Sequence, residues 1–419
     1  MRGPLFRTRA DRRIPSPWYT RSPVPYPFAD DLVGDPLGEA PERAELRRTL
    51  RALVAQEAPP GRVARLDEAE EFDAALHARL AEIGVLGIDA PEGHGGSGDV
   101  RDQLVAVEEL AAGPTSMAAF LIAHYAVVQV LASCGRTAEH AELLRRLVAG
   151  RAKVAFALSE PAGGTDVARA MRTRAQRAPG GFRLDGHKTW TSGALLAEAI
   201  VVLARTSPIE RSPVHGVTMF LVPADARGLA VRPIDTLGLR GLSTCDVHLD
   251  GVEVPEAAVL GEVDRGLRQV FATVNREGLN AAAATLGVGR GALELALRWA
   301  REREVFGRPV GGFQVPQHWL VDGAVALESA RSLMLRAAAI EVAGGDAGLL
   351  AAMAKLTASE AAVWIAERGM QLMGGHGYAR ANAMQRYWRD GRLWSFSPLT
   401  NEMVRNRLGE QLLGLPRSY

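Results

Sequence analysis

The chain is expected to be a multidomain α+β protein. It should have an N-terminal helical domain, a middle antiparallel β-barrel or sandwich domain and a C-terminal four-helix-bundle domain. Three observations carry this. Apolar residues recur at helical spacing up to about residue 150. Short β-type runs bounded by turn residues follow, and helical spacing returns from about residue 263. The 419 residues also exceed what one core of ordinary size holds.

Taken in order, residues 1–40 are rich in Pro, Arg and aromatics and lack periodicity, so they read as an extended arm. Trp18, Tyr19, Tyr26 and Phe28 would order it only by docking on something else. Residues 41–151 form the first helical domain. Phe72, Ala75, Leu76, Leu80 and Ile83 make one apolar stripe, and the Gly-rich run at 91–96 ends that unit. Residues 152–262 form the β domain, with runs at 154–158, 182–184, 200–203, 217–222, 229–231 and 247–254. Pro179-Gly180-Gly181, Asp185-Gly186 and Asp250-Gly251 mark turns between them. Residues 263–419 are helical again, through Leu293, Leu297 and Ala300 and the Ala/Leu-rich stretch 321–340.

Composition excludes several classes. Apolar residues make up 47% and charged residues 23%, with a net charge of +1, an ordinary globular balance without the basic excess of a nucleic-acid binder. Cys134 and Cys245 are the only cysteines and form no Cys-x-x-Cys pair, which points away from disulfides or zinc and towards a reducing, cytoplasmic setting. No run of 18 apolar residues occurs, so no membrane span is expected. Arg2, Arg7, Arg9, Arg12 and Arg13 suggest a transit peptide, but six prolines between residues 4 and 27 would break the helix such peptides need.

Chemistry concentrates in a few motifs. Phe156-Ala157-Leu158-Ser159-Glu160-Pro161-Ala162-Gly163-Gly164-Thr165-Asp166 is a strand running into a Gly-rich turn with hydroxyls and free N–H groups. Such a turn suits a polar ring edge or a pyrophosphate, and equally an ordinary hairpin loop. Lys188-Thr189-Trp190-Thr191-Ser192-Gly193 offers a large flat indole with one donor, which in isolation also reads as a core Trp of a barrel. Arg303-Glu304-Val305-Phe306-Gly307, followed by Phe313-Gln314, supplies a guanidinium fit for phosphate, or a charged helix end with a Gly stop. Leu237-Gly238-Leu239-Arg240-Gly241 reads as structural, as does His376 within Gln371-Leu372-Met373-Gly374-Gly375-His376-Gly377-Tyr378.

In this order and spacing, the five motifs resemble the acyl-CoA dehydrogenase family over residues 42–415. The resemblance implies FAD as cofactor. Phe156, Leu158, Ser159, Gly164 and Thr165 would border it, Trp190 would cover the isoalloxazine and Ser192 would bond near N5. It implies that Arg303, Phe306, Gln314, Gln371, Gly374 and Gly375 reach the FAD of a neighbouring subunit, with Thr400 and Glu402 also at the cofactor. A homodimer or homotetramer follows, with an electron-transfer flavoprotein or similar acceptor as partner. Thr165, Arg276, Gly278 and Leu399 would line an acyl thioester carried on CoA or an acyl carrier protein. No metal is implied.

One departure matters. The family's usual catalytic Glu follows the Arg389-Asp390 pair, just before Gly-Thr, but here Pro398 and Leu399 occupy the Glu-Gly positions. Proline cannot take a proton. The chain is similar instead to isovaleryl-CoA and long-chain acyl-CoA dehydrogenases, whose Glu lies on an earlier helix, and Glu277 occupies that place. Gly278 stands where their next residue is Arg. A solvated carboxylate at a helix start is the competing reading of Glu277. The reaction expected is α,β-dehydrogenation, with Glu277 as base and a raised pKa. Two alternatives stand beside it: a flavin-dependent monooxygenase or N-oxidase using oxygen, and a non-catalytic scaffold.

Overall fold

The computed structural model describes residues 40–210, 212–271 and 274–418. The arm expected over residues 1–40 therefore lies outside the described residues, except Ala40.

Six helices come first: α1 (Pro41–Glu57), α2 (Pro60–Ala69), α3 (Ala74–Glu82), α4 (Val100–Ala111), α5 (Thr115–Cys134) and α6 (Ala138–Val148). Their starts follow local chemistry. Pro41 and Pro60 occupy first-turn positions whose N–H would have no partner. Asp73 caps α3 by accepting from the Leu76 N–H at 3.0 Å. Asp99 and Asp102 form a reciprocal capping box at α4. Helix α5 is apolar on every side, and a helix of that kind belongs inside a protein. By length and composition α5 and the later helix 348–373 could each span a membrane, but most of both windows is packed within the protein.

The middle segment is one mixed, mainly antiparallel sheet. Its strands are β1 (Val154–Ala157), β2 (Arg174–Ala178), β3 (Gly181–Ser192), β4 (Ala199–Arg205), β5 (Val217–Pro223), β6 (Leu229–Ile234), β7 (Thr244–Pro255) and β8 (Val259–Leu260), and the short helix α7 (Val167–Ala170) lies between β1 and β2. The order is β6-β7-β3-β2-β4-β5-β8, with β1 paired to β4 in parallel. Strand β4 shows why the sheet carries two cores. Ala199, Val201 and Leu203 face a cluster with α5 and α6, whereas Ile200, Val202 and Ala204 face Phe182, Phe220 and Val254. That period of two, apolar on both faces, gives an unbroken apolar run in the sequence.

The last segment holds α8 (Gly266–Phe271), α9 (Val274–Glu302), the hairpin strands β9 (Glu304–Val305) and β10 (Arg308–Pro309), α10 (Gln314–Val342), α11 (Gly348–Met373), α12 (Gly375–Tyr378), α13 (Met384–Leu393) and α14 (Asn401–Gln411). Helices α9, α10 and α11 pack together, with α13 and α14 on α11. Helix α4 packs on α9, so one apolar core runs through both helical segments. The approach is close: a Cβ on Gly287 would lie 2.2 Å from the Glu108 carbonyl oxygen. Ion pairs seal the same junction. Glu108 receives Arg331 at 2.6 Å, and Glu109 receives Arg47 and Arg290, each at 2.7 Å. Four of these five charged residues are buried, and all are paired with one another, the condition under which buried ions are tolerated.

Candidate active site

The loop after β1 is held from beneath by a buried ion pair. Lys188 Nζ donates to Glu160 Oε1 at 2.8 Å and to the Leu158 carbonyl at 3.1 Å. Glu160 also accepts from the backbone N–H groups of Arg172 at 2.6 Å and Thr173 at 3.0 Å. Burial opposes charge on both groups. It pushes Lys188 down to about 8, while Lys188 and the other donors hold Glu160 below its usual value. The Thr189 N–H donates to the Ser159 carbonyl at 3.0 Å, joining this loop to β3. Phe156, Leu158 and Ser159 are thereby fixed and half-buried, whereas Gly164 and Thr165 are exposed. A Cβ on Gly164 would meet nothing within 4 Å, leaving the turn open for a ligand.

Trp190 sits where the β3–β7 pairing is interrupted between Lys188 and Thr191. Its φ is +58°, a costly conformation for a bulky L-residue, and its side chain is 60% exposed. A core tryptophan would show neither feature. The bulge turns the indole out of the sheet as a free platform, with half-buried Ser192 two residues on, paired to Thr244.

Glu277 lies in the first turn of α9. Among the described residues it has no hydrogen-bond or ion-pair partner, and burial alone pushes its carboxyl up to about 7. The residue keeps some solvent-accessible surface in the single chain. Anchors flank it. Arg276 pairs with Asp89 and, at 3.3 Å, with Glu341. Asn280 Nδ2 donates to Gln103 Oε1 at 3.4 Å. Arg276 is thus already held by two carboxylates, and a Cβ on Gly278 would find open space. Helix α5 touches both α9 and β1.

The residues expected to act across a subunit boundary lie together on the outside. Arg303, Phe306, Gln314, Gln371, Gly374 and Gly375 are all exposed, Phe306 to 96%. The hairpin end and the 371–378 segment are joined by Trp299, whose ring lies 4.8 Å from that of His376 and 5.9 Å from the Arg303 guanidinium. Phe306 has φ +50°, again a strained conformation presenting an apolar ring to solvent. Thr400 caps α14 by accepting from the Met403 N–H at 3.2 Å, and Glu402 is exposed in its first turn. Among the described residues no group of three or more His, Cys, Asp or Glu is placed to hold a metal ion.

Models of the three acyl-CoA dehydrogenase domains match in order: the N-terminal domain over residues 40–151, the middle domain over 155–252 and the C-terminal domain over 264–413. The chain belongs to the acyl-CoA dehydrogenase family. It is accordingly an oxidoreductase acting on CH–CH bonds. Human short-chain specific acyl-CoA dehydrogenase, a mitochondrial enzyme, is 33% identical over 385 residues, covering 91% of this chain and 92% of its own length. Butyryl-CoA dehydrogenase from Megasphaera elsdenii superposes with a TM-score of 0.84 at 28% identity, over 90% of this chain and 99% of its own. A glutaryl-CoA dehydrogenase from Mycobacterium smegmatis, solved with FADH2, gives 0.85 at 27%, over 92% and 97%.

Within this acyl-CoA dehydrogenase framework several residues went unassigned by sequence reasoning. Glu160 and Lys188 were visible inside motifs but their pairing was not, because they lie 28 positions apart. Lys355, buried on α11, donates to the Leu399 carbonyl at 2.6 Å and Asn401 Oδ1 at 2.7 Å, fixing the segment that carries Pro398. Burial pushes Lys355 down to about 8. The Arg389-Asp390 pair clamps the loop read as structural: Arg389 donates to the Leu237 carbonyl at 2.6 Å, and Asp390 accepts from the Leu239 N–H at 2.8 Å.

Proposed function

We propose that the protein catalyses FAD-dependent α,β-dehydrogenation of an acyl thioester, with Glu277 as the base. The observation that carries this is the state of Glu277. It is a carboxyl without a partner among the described residues, near neutral in pKa, in a chain whose Pro398 cannot take a proton. A base poised near 7 is ionised often enough to accept the α proton, and burial then favours its neutral form. FAD, when bound, supplies the acceptor for the electron pair leaving the β carbon.

The residues present fit that cofactor. The open turn at Gly164 and Thr165, the outward indole of Trp190 and half-buried Ser192 would border the ring system, with Phe156, Leu158 and Ser159 beneath. Exposed Arg303, Phe306, Gln314, Gln371, Gly374 and Gly375 would serve the cofactor of a partner subunit in a dimer or tetramer, with Thr400 and Glu402 at the same cofactor. Thr165, Arg276, Gly278 and Leu399 would border the thioester, Arg276 by holding the start of α9 and Gly278 by leaving room. An electron-transfer flavoprotein is the proposed acceptor. Cys134 and Cys245 are both buried and unpaired, in keeping with a cytoplasmic protein.

The test is turnover of purified holoprotein with acyl-CoAs and acyl carrier protein thioesters, using an artificial electron acceptor. Acceptor-dependent formation of the α,β-unsaturated thioester is expected. Oxygen consumption with an added flavin reductase, and no acceptor-dependent product, would favour the monooxygenase reading. A purified protein that holds no FAD would favour the scaffold.

A further inference from the structure

A cavity of about 430 Å³ opens where α1 and α2, the α4–α5 turn, the middle of α9 and α13 meet. Its size falls within the roughly 300–1,000 Å³ typical of small-molecule sites. It is separate from the proposed dehydrogenation site. Arg290, on its wall, follows Glu277 by 13 positions on the same helix, about 20 Å at the helical rise. One wall is apolar, formed by Val54, Ala58, Val63, Leu66 and Phe72.

Arg386, which retains 7% of its surface, also lines the cavity. Its guanidinium has no hydrogen bond and no ion pair among the described residues, although buried cations are ordinarily paired. Its acidic neighbours are engaged elsewhere. Asp67 pairs with Arg389 at 2.7 Å, and Asp390 accepts from the Leu239 N–H. The Arg386 nitrogens are not fully sealed in protein, and the residue lines the cavity. The other wall arginines are satisfied differently: Arg51 at 3.0 Å and Arg290 at 2.7 Å both bond Glu109.

We propose that this cavity binds a small monocarboxylic acid, its carboxylate on Arg386 and its apolar chain against Val54, Ala58, Leu66 and Phe72. A guanidinium presents paired donors that match a carboxylate. A single charge is specified because Asp67, Glu71, Asp73, Glu109, Glu294 and Asp390 also line the space and repel a polyanion. The inference does not depend on the dehydrogenation chemistry.

Calorimetric titration of the full-length holoprotein with octanoate tests it, with 1-octanol and octyl phosphate as comparison ligands. Octanoate should saturate one site per chain, and both comparison ligands should bind at least about tenfold more weakly. Arg386→Met should weaken octanoate about tenfold or more, and Glu277→Gln should leave it unchanged. Val54→Phe, which fills the cavity from its apolar wall and leaves Arg386 intact, should also abolish binding, and it decides the matter if Arg386→Met does not fold. No saturable binding to the full chain would overturn the proposal. So would equal binding by Arg386→Met, tighter binding of octyl phosphate, or binding lost in Glu277→Gln but kept in Arg386→Met.

Discussion

Replacing Glu277 with glutamine probes the proposed mechanism through two quantities that move in opposite directions. Gln keeps the shape and removes the proton acceptor, so turnover should fall by about 10² or more while FAD stays bound. Stability should change the other way above neutral pH. The folded chain holds the Glu277 proton up to about 7, whereas the unfolded chain releases it near the ordinary 4.5. Between those values the native state binds more protons, so wild-type stability declines as pH rises through the window, and the loss is complete above about 7. At about 1.4 kcal/mol per pH unit, the upper bound is about 3.5 kcal/mol. The residue's remaining solvent contact reduces it to roughly 1–2 kcal/mol. The variant carries no such cost.

Urea unfolding at pH 4 and pH 8 should therefore show near-coincident midpoints at the lower pH and a more stable Glu277→Gln protein at the higher one. The wild-type kcat/KM should rise with pH through about 7, and that limb should vanish in the variant. A stability gap that fails to widen with pH would show that the carboxyl does not retain its proton. Undiminished turnover would remove Glu277 as base and strengthen the oxygen-using alternative.

Lys188→Met should cost about 3–5 kcal/mol by leaving Glu160 charged and unpaired, as read by urea unfolding, and adding Glu160→Gln should recover part of the loss. Trp190→Gly should leave the fold as stable or about 1 kcal/mol more so by relieving the positive φ, yet weaken FAD binding measured by flavin fluorescence. Phe306→Asp should leave the unfolding of the single chain unchanged, since the ring packs on little within it, but lower FAD retention and oligomer mass on sedimentation. An FAD content equal to wild type would count against a cofactor shared between chains.

The helical, β, helical order was readable because each segment's apolar spacing matched its own geometry. Runs such as 200–203 and 217–222 fall inside β4 and β5 for that reason. Strand β2 escaped notice. Its residues, Arg-Ala-Gln-Arg-Ala, carry no β-branched or aromatic side chain, and only Ala175 is buried. Its strand state comes from pairing with β3. Helices α5 and α11 look spanning by hydropathy because they are buried on most sides, a tertiary fact that spacing does not reveal. At the site, the single residues were legible from motifs while their partners were not. Nothing local joins Lys188 to Glu160, Lys355 to Leu399 or Arg389 to Leu237; the pairings exist only once the chain is folded.

A base at position 277 rather than 398, as proposed, has a mechanical rationale. Pro398 is exposed on a short connection before α14, held through its neighbours: the Leu399 carbonyl by Lys355, and the α14 start by the Thr400 cap. Glu277 sits on a 29-residue helix between two anchors, Arg276 tied to Asp89 and Glu341, and Asn280 tied to Gln103. Directly beyond, Leu279 and Ala281 to Ala284 are buried, so the helix start can neither fray nor rotate without disturbing the core. A proton acceptor must be held to within a fraction of an ångström of its target, and regular elements do this better than loops. Its anchors belong to the N-terminal helical segment and to α10, so changes far in sequence should reach the base. Asp89→Asn weakens one of the two ties on Arg276 and removes no proton acceptor from α9. It should lower kcat several-fold while leaving the pH limb near 7 in place, whereas loss of the base itself would erase that limb. A displaced or absent limb in Asp89→Asn would assign the proton chemistry to Asp89 and refute the anchoring role.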